Sequence, residues 1–100
     1  MANKEDKIGV ITDKSLLIVD DNNPFRERLS RAMEKKGFVV SQAEGVKNAI
    51  NSVKEKKPAF VVVDLRLGDG NGLEVVKEIK NLKLNSRIVM LTGYGNIPTA

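Results

Sequence analysis

Asp20-Asp21, Asp64 and Thr92 each stand directly after a short apolar run: Leu16-Leu17-Ile18-Val19, Phe60-Val61-Val62-Val63 and Ile88-Val89-Met90-Leu91. Runs of this kind read as buried parallel strands, and ligands of open α/β sheets collect beyond the carboxyl ends of such strands. Neighbouring strands lie about 4.8 Å apart, so Asp20, Asp21 and Asp64 are expected to converge in one crevice. Carboxylates that close repel one another and raise their own pKa values unless a cation sits among them. A hard divalent ion satisfied by carboxylates, a carbonyl and water suits this set. Magnesium fits best, because it takes one or two carboxylates and keeps several waters. On its own, Asp20-Asp21 would serve equally well for turn formation and helix capping. Asp64 and Thr92 on two further strand ends are what turn the pair into a site.

Composition narrows the chemistry further. The chain has 100 residues with no Cys and no His, which excludes disulfides, thiolate catalysis, zinc sites of the usual kind and histidine acid/base chemistry. Oxygen ligands and carboxylate chemistry remain. A content of 41% hydrophobic, 4% aromatic and 30% charged residues is that of one small soluble domain. No apolar stretch approaches the roughly 18 residues needed to span a bilayer, and the opening Met1-Ala2-Asn3-Lys4-Glu5-Asp6 has no signal-peptide core. No membrane association and a cytoplasmic location are therefore expected. The net charge is +4, yet Arg26, Arg28, Arg31, Lys35 and Lys36 interleave with Glu27 and Glu34 and read as solvated helix faces. Nothing in the chain has the aromatic interleaving or the recognition-helix pattern of a nucleic-acid binder.

The elements that must position the site follow from periodicity. Residues 1–14 read as a polar leader and residues 15–100 as the domain. After the first strand, Asn23 is expected to cap a helix with Pro24 as its first residue. Phe25, Leu29, Ala32 and Met33 would form the inner face of that helix, and Gly37 would close it. Phe38-Val39-Val40 reads as a second strand. Val46, Ala49, Ile50 and Val53 give a second amphipathic helix that ends before Pro58. Leu73, Val76, Ile79 and Lys80 set the face of a third, with Leu82 near its end. Asn96-Ile97-Pro98-Thr99-Ala100 reads as the first turn of a fourth. Gly68, Gly70 and Gly72 are explained by turn chemistry, because the lysine of a phosphate-binding P-loop is missing. Alternation of strand and helix implies a doubly wound α/β domain with a parallel sheet.

These residues carry a resemblance. Leu17-Ile18-Val19-Asp20-Asp21-Asn22, Val63-Asp64-Leu65-Arg66-Leu67, Gly70-Asn71-Gly72-Leu73 and Val89-Met90-Leu91-Thr92-Gly93 resemble the receiver domain of two-component response regulators. The stretch from Asp64 to Leu73, taken with Leu91-Thr92-Gly93-Tyr94-Gly95-Asn96-Ile97, looks like the redox-responsive ActR/RegA/PrrA group. The resemblance implies a flavodoxin-like receiver fold, with strand order 2-1-3-4 for the strands present. It also implies Asp64 as phosphoacceptor from a sensor histidine kinase, with Mg2+ held by Asp20, Asp21, Asp64 and the Arg66 backbone carbonyl. Thr92 would be the switch hydroxyl, and Tyr94 would be either a loop residue or a flank of the site. DNA would be reached only through an output domain that this chain does not include.

Receivers of this kind carry a Lys at the end of a fifth strand, so the chain is expected to stop short of its fourth helix, fifth strand and fifth helix. An unpaired fourth-strand edge would then be hidden by homodimerisation, by a swapped dimer or by aggregation. The protein is expected to be a signalling phosphoacceptor, with autophosphatase activity at most, rather than an enzyme. Two alternatives stay open. A phosphorylation-incompetent interaction module would keep the acidic cluster without its chemistry. A haloacid-dehalogenase-like phosphatase would use the same Asp nucleophile but needs a second acid two residues on, where this chain has Arg66.

Overall fold

The structure is a computed structural model that describes residues 13–91. Its elements run β1 (Ser15–Val19), α1 (Asn23–Lys35), β2 (Val39–Ala43), α2 (Val46–Lys56), β3 (Phe60–Asp64), β4 (Arg66–Leu67), β5 (Gly70–Asn71), α3 (Gly72–Asn81) and β6 (Arg87–Leu91). The main sheet has the order β2-β1-β3-β6 and is parallel throughout. This is the expected order, with the short antiparallel ribbon β4–β5 inserted between its third and fourth members. Val19 lies level with Ala43 and Val63, and Asp64 level with Leu91. The carboxyl ends of all four strands therefore share one edge.

The core explains why the strands read as unbroken apolar runs. Leu16, Leu17, Ile18 and Val19 are all buried, as a central parallel strand covered on both faces requires. Leu17, Val19, Val61 and Val63 pack with Val46, Ala49 and Val53 of α2 and with Val75 and Ile79 of α3. Side chains alternate along a strand, so Leu16 and Ile18 point to the opposite face, the side covered by α1. Burying an aliphatic side chain contributes about 1.5–3 kcal/mol, which makes this the chief cohesive term. No helix among the described residues is long and apolar enough to cross a membrane.

Local details depart from the sequence reading. The cap of α1 is Asn22 rather than Asn23. Asn22 has extended backbone and its Oδ1 accepts from the Phe25 amide at 3.0 Å, so Asn23 and Pro24 both fall inside the first turn, where a missing N–H costs nothing. Of the expected inner face of α1, Phe25, Leu29 and Met33 are half-buried, but its two fully buried positions are polar. Arg26 and Ser30 are buried, whereas Ala32 is exposed. Polar groups are admitted there because partners exist: Arg26 donates to the Asp20 carbonyl and to Gln42 Oε1, and the Ser30 hydroxyl donates to the Arg26 carbonyl. Gly37 does close the helix. It adopts φ +99, with its amide on Glu34 and that of Phe38 on Met33, the Schellman arrangement that favours glycine.

On α3 the buried stripe is Gly72, Val75 and Ile79. Leu73 is 51% exposed and Lys80 is exposed. The stripe is rotated from the expected face because Gly72 lies directly against the backbone of Asp64, which fixes which side of the helix meets the sheet. The second strand starts at Val39 and continues to Ala43, with Phe38 stacked edge-on to Phe60 at 5.4 Å.

Candidate functional site

β1 and β3 deliver the acidic residues to the same edge because they are neighbours in register. Asp20, Asp21 and Asp64 each offer a carboxylate oxygen, and these oxygens lie within 4.8 Å of one another. Asp20 is 5% exposed and Asp64 9%, while Asp21 faces solvent. Asp20 is held on several sides. Its amide donates to the Ala43 carbonyl at 3.1 Å, its Oδ1 accepts from the Asn22 amide at 2.8 Å, and its carbonyl accepts from Arg26 Nη1 at 2.7 Å.

Burial, followed by the charges of Asp20 and Asp21, pushes the Asp64 carboxyl above its ordinary value, against a lowering pull from the backbone amides of Arg66 and Leu65. The Arg66 amide lies 3.4 Å from Asp64 Oδ1, a long contact whose lowering pull does not overcome the rise. The donor set consists of hard oxygens only, crowded and partly desolvated, so its repulsion is relieved by a cation. It fits a small divalent ion of the magnesium or calcium type.

A pH dependence follows. A carboxyl whose folded pKa lies above its unfolded one binds its proton more tightly in the folded state, so stability declines as pH rises from 3.8 through the raised value. Above that window the full penalty of the ionised group is present. In the absence of divalent metal, Asp64→Asn is therefore expected to melt at a higher temperature than the parent at neutral pH, with the difference vanishing toward pH 3.8. Thermal melts in chelator across that range check this, and coincident melts at neutral pH would mean that the cluster is not strained.

The segment after Asp64 is folded back over it. The Leu65 amide donates to the Leu91 carbonyl at 2.8 Å, and the Gly72 amide to the Leu65 carbonyl at 2.7 Å. Between them Arg66 pairs with Asn71 and Leu67 with Gly70, leaving Gly68-Asp69 as the turn. Asn71 then caps α3, with its Oδ1 accepting from the Leu73 amide and Glu74 accepting from the Asn71 amide, a capping box. Gly68 lies beside Asp21, where an added Cβ would make an ordinary contact of 3.8 Å with Asp21 Oδ2. Arg66 thus sits in the ribbon two residues from Asp64, with its side chain exposed.

Asp20, Asp21 and Asp64 are brought together at the strand ends, and the Arg66 backbone amide lies 3.4 Å from Asp64 Oδ1. Thr92 and Tyr94 lie outside the described residues, as do residues 1–12 of the leader and the Asn96–Ala100 turn; the strand leading to Thr92 ends with Leu91 level with Asp64. Sequence reasoning missed Arg26, which it placed among solvated charges, and Asp69, whose carboxylate accepts from the Val46 and Lys47 amides of α2. A usable signal existed for the second. The residue before α2 is Gly45, which has no side chain with which to cap it.

Comparison with known proteins agrees with this geometry. The family model for the response regulator receiver domain matches residues 16–100. The chain is 53% identical over 88 residues to the acid tolerance regulatory protein ActR of Sinorhizobium medicae, covering 88% of this chain and 45% of that protein. It is 54% identical over 89 residues to the photosynthetic apparatus regulatory protein RegA of Rhodobacter capsulatus, covering 89% of this chain and 48% of that one. The chain therefore spans about half the length of the curated relatives it matches. Among solved structures, a response regulator from Burkholderia pseudomallei, crystallised with a phosphorylated aspartic acid, a calcium ion and citrate, superposes with a TM-score of 0.77 at 38% identity. That match covers 82% of this chain and 48% of the other. A CheY-like receiver domain from Methanospirillum hungatei superposes with a TM-score of 0.78 at 24% identity, over 83% and 66%, which bears on the fold alone.

Proposed function

This chain belongs to the response regulator receiver family, and we propose that it receives a phosphoryl group on Asp64 from the phosphohistidine of a sensor histidine kinase. The observation that carries this reading is the convergence of Asp20, Asp21 and Asp64 within 4.8 Å at the strand ends, with Asp64 nearly buried. An Asp64 carboxylate oxygen attacks phosphorus in line, forming a P–O bond while the P–N bond to the kinase imidazole breaks. The imidazole leaves and takes up a proton, and the product is an aspartyl phosphate. Asp20, Asp21, Asp64 and the Arg66 carbonyl hold Mg2+, which supplies neutralisation of the charge on the phosphoryl oxygens. The pinning of Asp20 by Arg26, Asn22 and Ala43, and the folding of the ribbon over Asp64, keep these groups in place before the donor arrives.

Switching through the Thr92 hydroxyl belongs to the same proposal. The phosphoryl group favours the arrangement of the Thr92 segment that binds it, which is a population shift. Regulation of transcription through an output domain, association of two copies, slow autophosphatase activity and a cytoplasmic location complete it. The regulatory names of the relatives support the first of these.

Incubation with acetyl phosphate and magnesium, read by intact mass, tests the reading. Addition of one phosphoryl group supports it. Turnover of phosphate esters without a lasting adduct would indicate a phosphatase, and inertness an interaction module.

A further inference from the structure

Helix α2 begins without a cap of its own. Gly45 stands at the N-cap position with extended backbone and no side-chain hydrogen bond, and no acidic residue occupies the first turn. The first amides of a helix need an acceptor. Here it comes from 23 residues downstream: Asp69 Oδ1 accepts from the Val46 amide at 2.7 Å and Oδ2 from the Lys47 amide at 3.2 Å. The fit is close enough that a Cβ on Gly45 would meet Asp69 Oδ1 at 2.8 Å. The next residue, Gly70, lies against α2 as well, since a Cβ there would stand 3.2 Å from Val46 Cγ2.

Asp69 forms the turn of the β4–β5 ribbon, and that ribbon starts at Arg66, two residues after Asp64. Its near end is tied by the bond from the Gly72 amide to the Leu65 carbonyl. Its far end is tied to α2 by Asp69. We infer that Asp69 is a positioning residue for the metal-binding site: by capping α2 from the ribbon, it holds the Arg66 segment in register with the acidic cluster. This inference rests on the proposed metal site, and it assigns to that site a second layer on a helix that contributes no ligand. The Asp69 carboxyl is held below its ordinary value by the same two amides, consistent with a bond made by the ionised form.

The test separates positioning from mere capping. In Asp69→Ala the magnesium affinity of the whole chain should fall roughly tenfold, the scale on which removal of outer partners weakens metal sites. In chelator, hydrogen exchange at the Arg66 and Gly72 amides should quicken. Asp69→Asn, which keeps an acceptor for Val46, should stay close to the parent. Gly45→Ser in the Asp69→Ala background gives α2 a local cap in the space that Asp69 vacates. It should restore thermal stability but leave magnesium affinity low and Gly72 exchange fast.

Recovery of affinity and slow exchange along with stability in that double variant would overturn the inference, as would an unchanged affinity in Asp69→Ala. A parent chain that binds no magnesium at millimolar concentration overturns the metal site itself, and with it this inference. That outcome is read on the parent alone and is distinct from the others.

Discussion

Gly72→Ala is expected to disable the site and weaken the fold together. A Cβ at Gly72 would overlap the Asp64 carbonyl oxygen and press on Val63 Cγ2 at 3.1 Å. Both obstacles belong to the buried end of β3, so neither can swing aside as a surface side chain would. Forcing an added carbon into a packed interior typically costs about 1–3 kcal/mol, and here relief comes only by moving α3 off the sheet or by displacing the Asp64 backbone. Urea denaturation should show the loss of stability, and phosphoryl uptake from acetyl phosphate should fall well below that of the parent. A Gly72→Ala protein with parental stability and uptake would mean that the contact of α3 with β3 is looser than described.

Asp21→Ala should separate the two effects, removing most of the metal binding while leaving the fold intact. Asp21 is exposed and bears on the core at no point, whereas its carboxylate belongs to the acidic cluster. Removal of a direct ligand should lower magnesium affinity by more than about tenfold, since even outer partners cost that much. Its charge also contributes to raising the Asp64 pKa, so the shift of Asp64 should become smaller in the variant. Magnesium titration of the Asp20 to Asn22 and Asp64 to Arg66 amides checks the first effect, and titration of the Asp64 carboxyl the second. Parental affinity in Asp21→Ala would remove Asp21 from the site.

The strands were legible because a central parallel strand must be apolar on both faces, and Leu16 to Val19 and Val61 to Val63 have no other reason to be. The parallel sheet and its shared edge followed from the alternation of strand and helix, and the acidic residues from standing where the runs end, whereas the order of the strands came from the receiver resemblance. What escaped notice depends on tertiary partners. Arg26 looks like any helix-surface arginine until the Asp20 carbonyl and Gln42 are placed beside it. Gly72 looks like a turn glycine, and only the nearness of the Asp64 backbone gives it a packing role. The orientation of α3 inherits that contact, which is why Leu73, apolar and well spaced, lies outside while Val75 lies inside. Gly45 showed that α2 lacks a cap of its own, but the acceptor that supplies it, Asp69, arrives from a later turn and could not be named from α2 alone.

Phosphorylation of Asp64 is tested by locating the phosphoryl group on the chain. The chain is incubated with acetyl phosphate and magnesium, the acyl phosphate is reduced with borohydride to homoserine, and the digested peptides are sequenced by mass spectrometry. Homoserine is expected at position 64, dependent on magnesium, and none in Asp64→Asn. Homoserine at Asp20, Asp21 or elsewhere in place of position 64, or no conversion of the parent at saturating acetyl phosphate and magnesium, would contradict phosphorylation at Asp64.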